Sequence, residues 1–233
     1  MKRLIFFSVM CLACLRCSRE TGESGTYTLY KEYLIDSYVS VDHMSISPVR
    51  GATFAINCSG PVYSITSDDA ANVAKFKELA AKKNDNFKQE ATVDACYSPG
   101  DYECFAEDFT EIHISSDISW DDKHSAGDSL NDLCYFMAYS YASALNGELS
   151  YGALSWIKKR VNELTAADLE LLSVKSVWLG FFDSELSISK PQIITVSLTK
   201  ENGQILTASY KRAGSISVNI KDSKGKSVYH VTK

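Results

Sequence analysis

Carboxylates are the densest chemical groups in this chain. Glu107, Asp108, Glu111, Asp117, Asp121, Asp122, Asp128 and Asp132 fall within 26 residues. A retaining glycosidase would use two inward carboxylates about 5 Å apart, one as acid and base and one as nucleophile. The spacing across 107–132 singles out no such pair. Oxygen-rich loops also bind Ca²⁺. However, "DDKHSAGDSLND" has Lys123 where an acid or amide is needed, and its glycine is misplaced for an EF-hand loop. A solvated acidic loop is the expectation, with no metal. The four histidines, His43, His113, His124 and His230, stand apart, and no CxxC occurs beyond the first seventeen residues, so zinc is not expected either. His113 falls on the outer phase of an alternating segment and should be solvated.

Nucleophile signatures are missing too. GxSxG, HExxH and phosphate-cradling glycine loops do not occur. Ser-x-x-Lys occurs at Ser155–Lys158 and at Ser187–Lys190, but its SDN and KTG companions do not. A chain without cofactor and without catalytic residues is expected. Two features remain. Cys96 and Cys104 flank a turn at Pro99-Gly100, a candidate disulfide that would stabilise by about 2–3 kcal/mol in an oxidising compartment. Cys58 and Cys134 would then pair by elimination only, and free buried thiols are the competing reading for all of them. Tyr135, Phe136, Tyr139, Tyr141 and Tyr151 cluster in sequence with Trp156. Exposed rings in a row can stack on sugar faces; the same rings can simply pack on a sheet with hydroxyls kept wet.

The elements that must position these groups are mostly strands. "YVSVDHMSIS" alternates in two phases, which implies two strands joined by a bulge or tight turn. "GATFAINCSGPVYSI" reads as strand, turn and strand. "SDDAANVAKFKELAAKKND" is a helix over about 68–84, capped by Ser67 or Asp68, with Val73, Phe76, Leu79 and Ala80 on its inner face. "FTEIHISSDISW" is a half-buried strand. Residues 129–174 read as a helical block: Leu130, Leu133, Met137, Tyr141 and Ala144 share a helical face, "LSWIKKRVNEL" follows, and Thr165 with Asp168 forms a capping box. From Ser176 onward, "VWLGFF", "IITVSLT", "ILTASY", "SISVNIK" and "VYHV" read as an antiparallel meander, with Asn202-Gly203 the best hairpin signal. The expected class is mainly β with α: an antiparallel, sandwich-like fold with an inserted helical block.

Composition sets the outer bounds. The 233 residues are 45% hydrophobic and 23% charged, enough for one globular domain with a sizeable core. Residues 1–16 carry Lys2, Arg3 and Arg16, and without them 21 basic face 29 acidic groups, a formal charge of −8. That balance argues against a nucleic-acid partner.

"MKRLIFFSVMCLACLRC" opens with cations followed by an apolar run too short to span a bilayer, which takes about 20 residues. The run, a small residue and then a cysteine followed by "SRETGES" resemble the lipobox of bacterial lipoproteins. In that family the cysteine carries a diacylglycerol thioether and becomes the new N-terminus. Cys17 is the expected lipidation site, because a polar tether follows it. Cys14, after the small Ala13, is the alternative. Several acyl chains hold a protein on a membrane where one would not, at about 0.8 kcal/mol per buried CH₂. With "ISSDISWDDKHSAGDSLNDL" and "ISKPQIITVSLTKENGQI", the layout resembles a group of Bacteroidota cell-envelope lipoproteins built on a domain of unknown function. That resemblance implies attachment to the outer membrane and brings no catalytic residues.

The resulting organisation is a signal peptide over 1–16, a tether over 17–26 and one β-rich domain over 27–233. Its expected function is binding or scaffolding at the membrane surface. The alternatives are a glycan-acting hydrolase using carboxylates of 107–132 and a glycan-binding module using the tyrosines of 135–151. Intact mass of the protein from its native membrane should show a lipid-sized increment that Cys17→Ala abolishes and Cys14→Ala retains; no increment in the wild type would refute the anchor.

Overall fold

A computed structural model describes residues 26–49, 52–94, 102–147, 154–182 and 191–212. The lipidation candidates Cys14 and Cys17, together with Cys96, Tyr151, His230 and the strands expected beyond 213, lie outside these residues.

The chain is mainly β with a minority of helix. In order, its elements are β1 (Thr26–Lys31), β2 (Ser37–Val39), β3 (His43–Pro48), β4 (Thr53–Ser59), β5 (Val62–Ser64), α1 (Ala70–Lys82), β6 (Gln89–Asp94), β7 (Glu103–Phe105), β8 (Phe109–Ser116), β9 (Cys134–Ser140), α2 (Ala142–Leu145), β10 (Ser155–Arg160), β11 (Leu172–Phe181), β12 (Gln192–Lys200) and β13 (Ile205–Arg212). An eight-stranded sheet runs β10-β9-β11-β7-β2-β5, with β4 also on β11 and β3 on β4. Strands β13-β12-β8 form a second sheet, and β1 pairs with β6 in a ribbon.

The spine is β11. One side pairs with β9 around a bulge between Leu172 and Val177; the other carries β7 at Ser173 and β4 at Trp178–Gly180. Its inward Val177, Leu179 and Phe181 join Phe54 and Ile56 of β4 and Phe136 and Ala138 of β9. The same apolar cluster takes in Ile112 and Ile114 of β8 and Ile194, Val196 and Leu198 of β12. Strict period-2 burial on β9 and β12 is what one buried face demands. Two strands form where the two-phase pattern implied them, although β2 is short and buries all three of its residues while only β3 alternates; the β12–β13 hairpin also forms, and there Gly203 takes the left-handed φ of +82° that favours glycine.

Helix α1 forms as expected, one residue late. Asp69, not Ser67 or Asp68, is its N-cap, accepting from the Ala71 N–H at 2.9 Å. Phe76, Leu79 and Ala80 are its buried face. Phe76 lies edge-on to Tyr33, with ring centroids 5.2 Å apart, and tilted against Tyr38 at 5.4 Å. Below the helix, the buried Asp85 carboxylate accepts from the backbone N–H groups of Leu34 (2.7 Å) and Ile35 (3.0 Å) and from the Tyr38 hydroxyl (3.2 Å).

Three expectations are corrected. The helical block over 129–174 is not helical. Residues 134–140 are strand β9, "SWIKKR" is strand β10, and among the described residues only one-turn pieces remain, at Asn131–Leu133, Ala142–Leu145, Val161–Glu163 and Ala166–Leu169. The apolar residues of 130–144 match a helical period and a strand period alike. Aromatic-rich "CYFMAYS" favours the strand, and pairing with β10 and β11 decides the choice. The capping box of Thr165 and Asp168 does form, over a single 3₁₀ turn. The expected meander is also split: "VWLGFF" belongs to the large sheet, while the β12–β13 hairpin adds to β8 instead. Finally, β2 and β7 pair in parallel, so the large sheet is not wholly antiparallel.

Asp85→Ala should strand two buried N–H groups and lower the unfolding free energy by about 2–4 kcal/mol, read by urea denaturation. A change within about 0.5 kcal/mol would refute the carboxylate as a structural anchor.

Candidate functional site

Strand alternation divides the aromatic residues of 135–156 between two faces. Phe136 and Tyr141 are buried. Tyr135, Met137 and Tyr139 point outward from β9, beside Trp156, Lys158 and Arg160 of β10 and Trp178 of β11. Register places Trp156 opposite Tyr139, Lys158 opposite Met137 and Arg160 opposite Tyr135. Rings therefore meet across strands. Tyr139 and Trp156 centroids lie 4.7 Å apart, and Trp156 and Trp178 centroids 5.9 Å apart. Trp156 keeps 46% of its surface exposed and Phe182 keeps 51%. Isolated exposed rings are ordinary, but a contiguous group of this kind marks an interaction site.

The face has two ends. At one, Trp156, Tyr139 and Trp178 present indole and phenol rings. At the other, the Lys158 ammonium sits 5.1 Å from the Tyr135 ring centroid and the Arg160 guanidinium 4.5 Å from that of Phe182. Those cation–π contacts cover the rings beneath them and hold the cations on the face. Gly180 is needed here: a Cβ would stand 2.4 Å from Tyr135 Cζ, so only glycine lets that ring lie across β11. Farther along the sheet the outer face turns small and polar, with Thr53 and Asn57 on β4 and Ser45 and Ser47 on β3.

Carboxylates of 107–132 do not gather at one site; apart from Asp121 and Asp132, which share His124, they take separate partners or face solvent. The Ser40 hydroxyl donates to Glu107 at 2.7 Å, while Asp108 holds the buried Lys83 ammonium at 2.6 Å and the Leu171 N–H at 2.9 Å. Asp117 accepts from the Ile193 N–H, and Asp128 accepts from the Ser125 N–H. Glu111 lies on the exposed phase of β8 with His113, which is solvent-facing as expected. Among the described residues, no three His, Cys, Asp or Glu side chains form a group able to hold a metal.

One histidine does not stand apart. His124 Nδ1 lies 2.7 Å from Asp121 and Nε2 lies 3.2 Å from Asp132, so two carboxylates flank the ring. The hydrogen bond to Asp121, then that to Asp132, raises the His124 pKa, and His124 in turn lowers that of Asp121. Trp120, four residues earlier, stacks on Phe181 with centroids 4.6 Å apart.

Cys58, Cys104 and Cys134 are free thiols, so no Cys58–Cys134 disulfide forms. Cys104 is fully buried, and its intended partner Cys96 lies outside the described residues. Burial pushes the Cys58 thiol up to about 12, although the nearby Lys200 pulls the other way. Burial also raises Cys104 and Cys134, so none of the three is a poised nucleophile. A polar cleft of about 310 Å³ opens between the C-terminal ends of α1 and α2. Four of its charged side chains pair with one another, Lys82 with Glu201 at 2.5 Å and Lys83 with Asp108, and Glu170 completes the charged lining. No family model, curated protein or solved structure matches the chain.

The aromatic face is the candidate site. Sequence reasoning found Tyr135, Tyr139 and Trp156 but missed Trp178, Lys158, Arg160 and Phe182. The alternation W-x-K-x-R was the available signal, hidden by the helical reading of that segment.

For His124, the folded-state pKa lies above its ordinary 6.5, so its tie to Asp121 and Asp132 is complete below that value and is lost as pH rises through the raised one. An NMR titration of the ring should give a midpoint above 6.5, and Asp132→Asn should lower it. A wild-type midpoint at or below 6.5 would refute the clamp.

Proposed function

We propose that this chain is a lipid-anchored cell-envelope protein of the outer membrane, of the Bacteroidota lipoprotein type, whose head is a non-enzymatic glycan-binding module. The observation carrying this reading is the exposed Trp156, flanked by the half-buried rings of Tyr139 and Trp178, on the outer face of the large sheet. Flat rings on a rigid sheet offer dispersion contact to the C–H face of a sugar without ordering a loop first. Neighbouring Ser, Thr and Asn side chains supply hydrogen bonds to hydroxyls.

The anchor rests on the sequence of residues 1–17, with Cys17 as the lipidated residue. A covalent lipid leaves the head free of any need to hold the membrane itself. The head is read as a sandwich, because one apolar cluster draws on both the eight-stranded and the three-stranded sheet. The hydrolase reading is weakened by the carboxylates themselves. Asp108 is held by Lys83 and Leu171, Asp117 by Ile193, and Asp121 with Asp132 by His124, so each already faces a structural partner.

Affinity gel electrophoresis against soluble polysaccharides tests the reading. Trp156→Ala should weaken retardation at least about tenfold, as expected of an exposed anchor Trp, with circular dichroism unchanged. Equal retardation of both proteins would refute the face as the site. Release of reducing ends by the wild type, lost in Asp132→Asn or Glu107→Gln, would overturn the non-enzymatic reading.

A further inference from the structure

The ring face also carries charge of the sign opposite to that of the molecule. Trp156, Lys158 and Arg160 alternate on one side of β10, while Ile157 packs inward and Lys159 turns to Asp168 at 2.5 Å. The three lysine and arginine side chains of "SWIKKR" are thus not equivalent. Lys159 is neutralised by a carboxylate on the other face. Lys158 is exposed over the Tyr135 ring, and among the described residues no carboxylate stands within ion-pair distance of it. Arg160 donates to the Asp132 backbone carbonyl at 3.4 Å, and among the described residues its one carboxylate neighbour is the exposed Glu163, at 3.9 Å. Charging an edge strand against unwanted pairing would be served by either face. It gives no reason for leaving the two cations on the ring face nearly unneutralised in an acidic protein.

Geometry couples the charges to the rings. Residues two apart on a strand lie about 6.8 Å apart, so Trp156, Lys158 and Arg160 form a row of stacking ring, ammonium and guanidinium. A guanidinium presents a planar donor fork that fits an oxyanion, and the Phe182 ring below holds it in position. A sugar stacked on Trp156 therefore brings substituents of its neighbouring unit over Lys158 and Arg160.

We infer that the ligand of this face is an acidic polysaccharide, one whose sugar stacks on Trp156 while a carboxylate or sulfate on the same chain meets Lys158 and Arg160. This deepens the glycan-binding reading and rests on it. Charge complementarity selects the class: neutral glycans would leave the two cations unused, and an anionic polymer approaching an overall acidic protein is drawn to this patch and repelled elsewhere.

The test is affinity gel electrophoresis of the purified full-length chain in detergent against polygalacturonate, dextran sulfate and neutral dextran, with a thymidine oligonucleotide as a further polyanion. Gel filtration verifies that each variant stays in the wild-type oligomeric state. The expected result is at least tenfold stronger retardation by one or both acidic polysaccharides than by dextran, weakening as salt is added. Which acidic polymer binds separates carboxylate from sulfate as the recognised oxyanion. Lys158→Gln with Arg160→Gln should remove that tenfold preference, while the charge-matched control Lys77→Gln with Lys211→Gln keeps it. Retardation by dextran equal to that by the acidic polymers, lost in Trp156→Ala but unchanged in Lys158→Gln with Arg160→Gln, would overturn the acidic ligand and leave the glycan-binding reading standing. No retardation by any polysaccharide, or binding of the oligonucleotide alone, would overturn both.

Discussion

Glu107 and Asp108 sit between two buried lysines, and much of the molecule is tied together at that dipeptide. Lys200 from the end of β12 buries its ammonium 3.8 Å from Glu107 and donates to the Val41 carbonyl. Lys83 from the end of α1 buries its ammonium against Asp108. The backbone joins in: Ala106 N–H donates to Val39, and Glu201 N–H donates to the Asp108 carbonyl. One short turn between β7 and β8 thus fixes the helix, the β12–β13 hairpin and the β2–β3 connection relative to each other. A buried pair need not add net stability, since desolvation offsets most of the attraction, but removing one partner leaves a buried charge alone. The arrangement therefore constrains which packings are tolerable more than it deepens the favoured one.

That constraint accounts for the division of labour among the charges. Most of the carboxylates crowded into 107–132 are internal fasteners of the fold: Asp108, Asp117, Asp121, Asp128 and Asp132 are spent on backbone N–H groups, a lysine or a histidine, and Glu107 on a serine hydroxyl. Chemistry available to a partner lies instead on the opposite side of the large sheet, where β9, β10 and β11 expose every second residue. There the rings are ordered by one another and by Gly180, whose missing side chain admits Tyr135. Rigid strands hold such a surface ready before a ligand arrives, so little ordering entropy is lost on contact.

Much of the β architecture was legible in the sequence, because β2, β3, β4, β8, β12 and β13 each show alternation bounded by turn residues. Helix α1 was legible from its capping acids and the spacing of Phe76, Leu79 and Ala80. The segment 129–163 was not. Leu130, Leu133, Met137, Tyr141 and Ala144 satisfy a helical period, and Cys134, Phe136, Ala138 and Ser140 satisfy a strand period over the same residues. Local pattern cannot decide between them; pairing with Leu179 and Gly180, more than forty residues on, does. The same non-locality hid the site. Trp178 and Arg160 become neighbours of Tyr139 and Tyr135 only through register, and the Asp121–His124–Asp132 clamp closes only when the loop before β9 folds back.

Among the described residues, strand β10 ends the large sheet on one side, and no strand pairs with its outer backbone groups there. Such an edge is a template for another chain, and bulky charged side chains are a common means of keeping it single. In this protein the guard and the proposed binding row are the same residues. Sequence drift toward a neutral or more apolar row would therefore change two properties together, widening ligand choice while making head-to-head association of neighbouring molecules easier. Under the proposed lipid anchor, tethering would raise the local concentration of heads and make that second effect the sharper one. Resistance to association and the proposed recognition chemistry would thus stand or fall on the same side chains.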